Sequence, residues 1–296
     1  MAPSSSVPGI GRRSTASRGG ADEVDFEIKG HEMQFVEVEL DPGESAVAEA
    51  GSMMFKDASV HMDTIFGDGS QASKGFGSKL WSAGKRLLTG ESLFMTAFTH
   101  QGQGKARVAF AAPYPGSIQA FHLGEMGGAL VAQKDSFLAA AKGVTVGIHF
   151  QKRIMTGLFG GEGFIMQKLE GDGWAFVHFG GAIVERTLAP GEVLHVDTGC
   201  VAAMTPDVDF DIVRAGSVKS MIFGGEGVFF AEIKGPGKVW LQSLPFSRLA
   251  GRILANSSPV AGGHGEGSVL GGLGGIFSMG IIVLETLGSQ TMGSDP

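Results

Sequence analysis

The sequence predicts an all-β fold built from three related units, and three observations carry that prediction. Gly160-Gly161-Glu162-Gly163-Phe164 returns as Gly224-Gly225-Glu226-Gly227-Val228, and the surrounding residues return at the same offset of 64. Val144, Val146 and Ile148 map onto Val208, Phe210 and Ile212, Gly171 and Gly173 onto Gly235 and Gly237, and Phe176 onto Trp240. Apolar falls on apolar and turn glycine on turn glycine, as in a repeated supersecondary unit. The 296 residues include 49 glycines and 11 prolines. That glycine share is more than twice the usual level of about 7%, which marks many tight turns between short strands. The apolar runs around Ile165, Phe176, Phe229 and Trp240 are continuous rather than alternating, which suits sheets buried on both faces.

In chain order, residues 1–25 come first, with Arg12, Arg13 and Arg18 and no acid before Asp22. They read as a disordered tail or an organelle-targeting segment, and no apolar run follows to make a secretory signal. The three units then span about 26–115, 116–186 and 187–247. Their openings are Asp41-Pro42-Gly43-Glu44, Leu123-Gly124-Glu125-Met126-Gly127 and Ala189-Pro190-Gly191-Glu192. A second recurring element is Glu49-Ala50-Gly51-Ser52-Met53-Met54, Gln133-Lys134-Asp135-Ser136-Phe137-Leu138 and Asp197-Thr198-Gly199-Cys200-Val201-Ala202. It precedes the motif glutamate by 27 residues in the second and third units and by 40 in the first, so the first carries an insertion of 13. There the motif is the degenerate Thr89-Gly90-Glu91-Ser92.

After each motif come an apolar run, a glycine-flanked turn and a second apolar run. The turns are Gly102-Gln103-Gly104, Gly171-Asp172-Gly173 and Gly235-Pro236-Gly237. Each of these reads as a β-hairpin, with glycine supplying the positive φ of a short loop. One such unit exposes an apolar face that its neighbours must cover. The expectation is therefore one hairpin-rich, pseudo-threefold domain over 26–255, sandwich-like or barrel-like, followed by a glycine-rich apolar tail over 256–296.

Composition narrows function mainly by exclusion. Twenty-three basic against thirty acidic side chains leave a net charge of −7, which disfavours a nucleic-acid partner. A single cysteine, Cys200, cannot form an intramolecular disulfide, and its apolar surroundings in sequence suggest a buried, inert thiol. The eight histidines show no zinc spacing, and neither a Gly-x-Ser-x-Gly elbow nor a phosphate loop occurs. No catalytic residue, metal ligand or cofactor is implied.

Two groups of residues stand out as candidate sites. Glu91, Glu162 and Glu226 occupy equivalent places, and a threefold arrangement could gather them around a hard cation or small ligand, although three carboxylates alone make an incomplete shell. The plainer reading puts each on an exposed turn. In the insertion, Lys79, Trp81, Lys85 and Arg86 belong to a basic segment with Phe76, Leu80 and Leu87 on one helical face. Such a segment suits a membrane surface, or else packs on the β core with its lysines solvated. Val269 to Leu284 is uncharged and glycine-rich, shorter than the ~20 apolar residues of a spanning helix.

Several of these motifs together carry a family resemblance: Asp41 to Glu44, Glu49 to Met54, Leu87 to Phe94, Gly157 to Phe164, and Trp240-Leu241-Gln242-Ser243-Leu244-Pro245-Phe246. Residues 26–255 resemble the bacterial branch of the altered-inheritance-of-mitochondria (mitochondrial biogenesis) family. The resemblance implies an all-β fold similar to the tryptophan RNA-binding attenuation protein, and a link, through eukaryotic members, to mitochondrial inner-membrane organisation. It brings no catalytic residues, and fold similarity to an RNA-binding protein does not imply RNA binding. The expected function is a non-enzymatic, homo-oligomeric β scaffold, membrane-associated directly or through a membrane-protein partner. It would be cytoplasmic in a bacterium and mitochondrial in a eukaryote. The alternative is a small-ligand or cation-binding module on the repeated glutamates, with RNA binding a weaker third.

Overall fold

Nineteen β-strands and one α-helix lie among the described residues of the computed structural model, which are 20–66, 94–152, 164–214 and 229–256. The first third of the chain contains β1 (Asp25–Lys29), β2 (Phe35–Leu40), β3 (Ser45–Glu49), β4 (Met53–Lys56), β5 (Val60–Phe66), β6 (Phe94–His100) and β7 (Ala106–Ala111). The second contains β8 (Gly116–His122), β9 (Ala129–Gln133), β10 (Phe137–Ala141), β11 (Thr145–Lys152), β12 (Phe164–Glu170) and β13 (Trp174–Gly180). The third contains β14 (Ile183–Leu188), β15 (Val193–Asp197), β16 (Val201–Met204), β17 (Asp209–Arg214), β18 (Phe229–Lys234) and β19 (Gly237–Gln242), followed by α1 (Phe246–Asn256). The chain divides into compact units of residues 1–254 and 255–296. Of the second, only Ala255 and Asn256 are described.

Four sheets result, in the orders β1-β2-β7-β4, β5-β6-β3-β10-β13-β8, β11-β12-β9-β16-β19-β14 and β15-β18-β17. Their burial explains the continuous apolar runs. Neighbouring residues on a strand point to opposite faces, and here each face has its own core. On β3, Ala46 and Ala48 join one cluster with Val36, Val38 and Phe110. Val47 joins another with Leu130, Val177 and Trp240. On β9, Leu130 and Ala132 share that second cluster, while Val131 belongs to a third with Met166, Met204 and Ile233. The outer strand β2 shows the opposite pattern: Val36, Val38 and Leu40 are buried, whereas Glu37 and Glu39 meet Lys29, Lys105 and Arg107 on the solvent side.

The same pairings recur in every third. With β1 set aside as an extra strand of the first third, the opening strand pairs with the last (β2·β7, β8·β13, β14·β19), and the fourth with the fifth (β5·β6, β11·β12, β17·β18). The second pairs with the fifth (β3·β6, β9·β12, β15·β18). The third pairs with the last (β4·β7, β10·β13, β16·β19), each time with a register shift, at Met53/Phe55, Phe137/Ala139 and Val201/Ala203. Between thirds, β3 pairs with β10 and β9 with β16. The corresponding third junction, β15 with β4, is not hydrogen-bonded, so a threefold arrangement is not established. The cost shows in exposure. All residues of β9, β10 and β16 are buried, but Met54 and Phe55 on β4 are 55% and 39% exposed and Val193 on β15 is 48% exposed.

Two expectations need correction. The glycine turns at 102–104, 171–173 and 235–237 do connect strands, but these are not hairpins: β6 and β7, β12 and β13, and β18 and β19 lie in different sheets. The turns carry the chain across a core from one sheet to the next. Gly237 shows why glycine is required: its φ is +144°, and a Cβ there would lie 2.5 Å from both Thr205 and Val208. The hairpin partners are instead the fourth and fifth strands of each third, whose connections are residues 67–93, 153–163 and 215–228. Cys200 is half-buried rather than buried, and Arg248 of α1 approaches its Sγ at 3.7 Å. No helix among the described residues is long and apolar enough to cross a membrane, which does not bear on a β-barrel.

Candidate functional site

The connections between the second and third strands of each third are where polar residues meet the core. In the first third, Glu49 ends β3 and the chain reverses through Ala50 and Gly51 at φ +90°. Ser52 closes the turn, its hydroxyl and amide donating to the Glu49 carbonyl at 2.7 and 3.2 Å. In the second third, the 3₁₀ turn Lys134–Ser136 takes this place, and in the third, Thr198–Cys200, with the Asp197 carboxylate accepting from Gly199 N–H at 3.0 Å. Strand register makes Glu49, Gln133 and Asp197 equivalent, opposite Met95, Met166 and Phe230. By the same reasoning Ala111, His178 and Gln242 are equivalent, each one past the residue that pairs before the register shift.

At the junction of the second and third thirds these positions close on themselves. Gln242 Nε2 donates to Gln133 Oε1 at 3.2 Å and to the Gly199 carbonyl at 2.9 Å, and its Oε1 accepts from Gly180 N–H at 2.9 Å. Both polar atoms of that amide are hydrogen-bonded, and both glutamines are buried.

At the junction of the first and second thirds the same positions are open. A cavity of about 450 Å³ is lined by Glu49, Tyr114, Asp135, His178 and Phe246, with apolar walls that include Met53, Phe137 and Leu138. His178 stands where Gln242 stands in the other junction, and Pro113 where Gly180 stands, so the backbone donor that Gln242 uses has no counterpart. His178 is 1% and Tyr114 4% exposed. Neither ring nitrogen of His178 nor the Tyr114 hydroxyl has a hydrogen-bond partner of acceptable geometry. The rings of Tyr114 and His178 meet edge to face at 4.5 Å, and Phe246 lies tilted over Tyr114 at 5.5 Å.

The electrostatics follow from burial without compensation. Burial pushes the Glu49 carboxyl up to about 7; repulsion from Asp135 adds to this and Lys134 opposes it. Burial pulls His178 down to about 4 against a smaller opposing contribution from the Tyr114 main chain, so its imidazole is neutral near pH 7. The Tyr114 phenol is raised by burial, with Asp135 and Glu49 contributing. The cavity thus disfavours added negative charge. Among the described residues, no three His, Cys, Asp or Glu side chains are grouped as metal ligands.

Comparison with known proteins matches residues 26–244 to the family described as Mitochondrial biogenesis AIM24. A relative from Streptococcus pyogenes serotype M6, an uncharacterised protein, is 33% identical over 226 residues, covering 75% of this chain and 86% of its own. The chain belongs to the AIM24 family. A crystal structure of a Streptococcus pyogenes protein, solved in a structural genomics programme, is similar in fold, with a TM-score of 0.61 and 26% identity. It covers 78% of this chain and 98% of that one. The AIM24 match takes in Glu49, Tyr114, Asp135 and His178 and ends just before Phe246.

The residues singled out from the repeats and from the insertion are not among those described. Glu91, Glu162 and Glu226, and Lys79, Trp81, Lys85 and Arg86, lie outside the described residues, as does Val269 to Leu284. Strand pairing still locates the repeated glutamates in sequence: each lies in the connection of a fourth-to-fifth-strand hairpin, between the pairs Phe66↔Phe94, Lys152↔Phe164 and Arg214↔Phe229. The cavity residues had one sequence signal, the recurring element that begins Glu49, Gln133 and Asp197. It repeats polar character at a strand end inside an apolar run. His178 and Tyr114 carried none.

Proposed function

We propose that the protein is a non-enzymatic β scaffold that assembles with copies of itself edge to edge. The observation that supports this is the unmade third junction. Each chain carries one third-type strand, β4, and one second-type strand, β15, that have a neighbour on one edge and none on the other among the described residues, and these two edges are the halves of a pairing the fold makes twice internally. Exposed edges of this kind template strand addition, and a head-to-tail contact between copies is heterologous and closes into a ring if its rotation allows. The register is specified by the internal examples. Ala48 opposite Ala139 and Ala132 opposite Ala203 put Val196 opposite Phe55, and His195 opposite Lys56.

Paired cysteines test the reading, in a Cys200→Ser background. Phe55→Cys protein mixed with Val196→Cys protein is expected to form a disulfide-linked dimer on mild oxidation, since directly opposed Cβ atoms lie about 4.5–5.5 Å apart. If the mixture stays unlinked while the double variant cross-links within one chain, the edges close internally and the assembly reading fails. Membrane contact through residues 74–88 belongs to the same proposal, with a cytoplasmic location in a bacterial host. Flotation of the full chain with anionic vesicles, lost on deleting 74–88, is the expected outcome.

A second reading, a small-ligand module, is favoured by the cavity at Glu49, Tyr114 and His178 rather than by the repeated glutamates.

A further inference from the structure

Strands β2, β8 and β14 open the three thirds and lie at equivalent positions, but their outer edges are covered to different extents. Along β2, β1 pairs from Asp25 opposite Glu39 to Lys29 opposite Phe35. Along β8, residues just before β2 take the first backbone donors: Gly116 N–H donates to the Glu32 carbonyl and Ile118 N–H to Gln34 Oε1, both at 2.6 Å, and no residue of β8 is exposed. β14 ends its sheet with no neighbour on its outer side among the described residues, and Val184, Glu185, Arg186 and Thr187 are all exposed.

The pairing of β1 with β2 shows what the outer edge of β14 would accept. Ala112 N–H donates to the Gln34 carbonyl and Ser243 N–H to the Ala182 carbonyl, both at 3.0 Å, so β2 and β14 stand in the same register against their inner neighbours. Backbone groups alternate in direction along an antiparallel strand. Phe35, Glu37 and Glu39 therefore turn theirs toward β1, and Ile183, Glu185 and Thr187 turn theirs to the uncovered side. Side chains keep the same correspondence. Val36, opposite Ile28 of β1, is fully buried, whereas its counterpart Val184 is 49% exposed. Val38, opposite Phe26, is fully buried too. Its counterpart is Arg186, which meets Glu192 at 3.9 Å and has a side chain 51% exposed.

Those side chains select the occupant. Val184 is best matched by an apolar residue opposite it and Arg186 by an acid. Glu185, bonded to Lys238 at 2.8 Å and to the Trp240 indole N–H at 3.0 Å, favours a base opposite it over a second acid. The charge at Arg186 also discourages indiscriminate apolar pairing, which makes addition selective. A second copy fits poorly. The two longest twofold self-pairings of β14 oppose Arg186 to Arg186 or Glu185 to Glu185, and β1 of another chain, in the register it takes on β2, would set Glu27 against Glu185. We propose that the outer edge of β14 binds an extended segment of a partner protein as an added antiparallel strand, with an acid opposite Arg186, a base opposite Glu185 and an aliphatic residue opposite Val184. β4 and β15 lie in other sheets, so the proposal stands apart from head-to-tail assembly.

Fluorescence anisotropy of the peptide fluorescein-Val-Thr-Glu-Lys-Val-Thr-amide with the full chain tests it, its Glu, Lys and second Val falling opposite Arg186, Glu185 and Val184. The peptide is expected to bind at one saturable site, and a version with Glu and Lys exchanged about tenfold more weakly. N-methylation of the peptide's Lys, whose N–H faces β14, should abolish binding. Arg186→Glu should bring the two unmethylated peptides within about threefold of each other. Thr187→Pro removes an outward N–H but no ladder bond to β19, and should weaken binding at least about tenfold with the circular dichroism unchanged. If Thr187→Pro fails to fold, Arg186→Glu and the methylated peptide decide the matter. No binding at millimolar peptide, equal binding of the exchanged or methylated peptide, or unchanged affinities in either folded variant would each overturn the proposal. An oligomer lost in folded Thr187→Pro, read by native mass spectrometry, would assign this edge to a second copy and overturn it as well.

Discussion

Glu49 and His178 line one cavity and make opposite demands on pH. The Glu49 carboxyl rises from 4.5 unfolded to about 7 folded. The folded state therefore holds a proton that the unfolded state has lost, and this contribution to stability is present below 4.5 and lost as pH rises to about 7. His178 falls from 6.5 to about 4, so its contribution is present above 6.5 and lost as pH falls to about 4. Between pH 4.5 and 6.5 the two slopes cancel. In Glu49→Gln the histidine slope is no longer cancelled, so urea midpoints are expected to rise with pH over that window relative to those of the wild type. The variant should also gain on the wild type between pH 5 and pH 8, by on the order of 3 kcal/mol at most. Identical pH profiles for the two proteins would show that Glu49 is not uncompensated. None of this was readable from Glu49 as a letter: its place at a strand end was legible, but its shift arises from burial by other strands and, after that, from Asp135.

Strands supply the second set of expectations. Strand type and the two-sided burial around Ile165, Phe176 and Trp240 were legible, because a strand facing two cores must be apolar at every position. Partner choice was not. Two apolar runs flanking a glycine turn look alike whether they pair as a hairpin or cross between sheets, and the structure places β12 and β13 in different sheets. The element most exposed to test is β19, which ends in Gln242. Gln242→Ala should destabilise by about 1–3 kcal/mol, read from denaturant midpoints, because Gly180 N–H, Gln133 Oε1 and the Gly199 carbonyl lose their partner together. Phe176→Ala, deep in the second sheet, should cost about 3–5 kcal/mol.

At the scale of the molecule, the edges of β4 and β15 that have no neighbouring strand among the described residues dominate. Phe55→Lys places a charge on an already exposed position, so thermal stability of the isolated subunit should change little while native mass spectrometry shifts from oligomer to monomer. An oligomer that persists in Phe55→Lys would remove β4 from the interface. Repeats, turn glycines and apolar runs are local properties, and the chain's all-β class, its three units and the positions of its strands follow from them. The unclosed third junction, the sheet-crossing turns and the cavity do not, because they depend on which strand lies beside which. Gln133 and Gln242 are 109 residues apart, and Glu49 and His178 more distant still. Contacts of that range are set by the packing of whole sheets, where the same repeated position becomes a sealed amide pair in one junction and an open, unsatisfied pocket in the other.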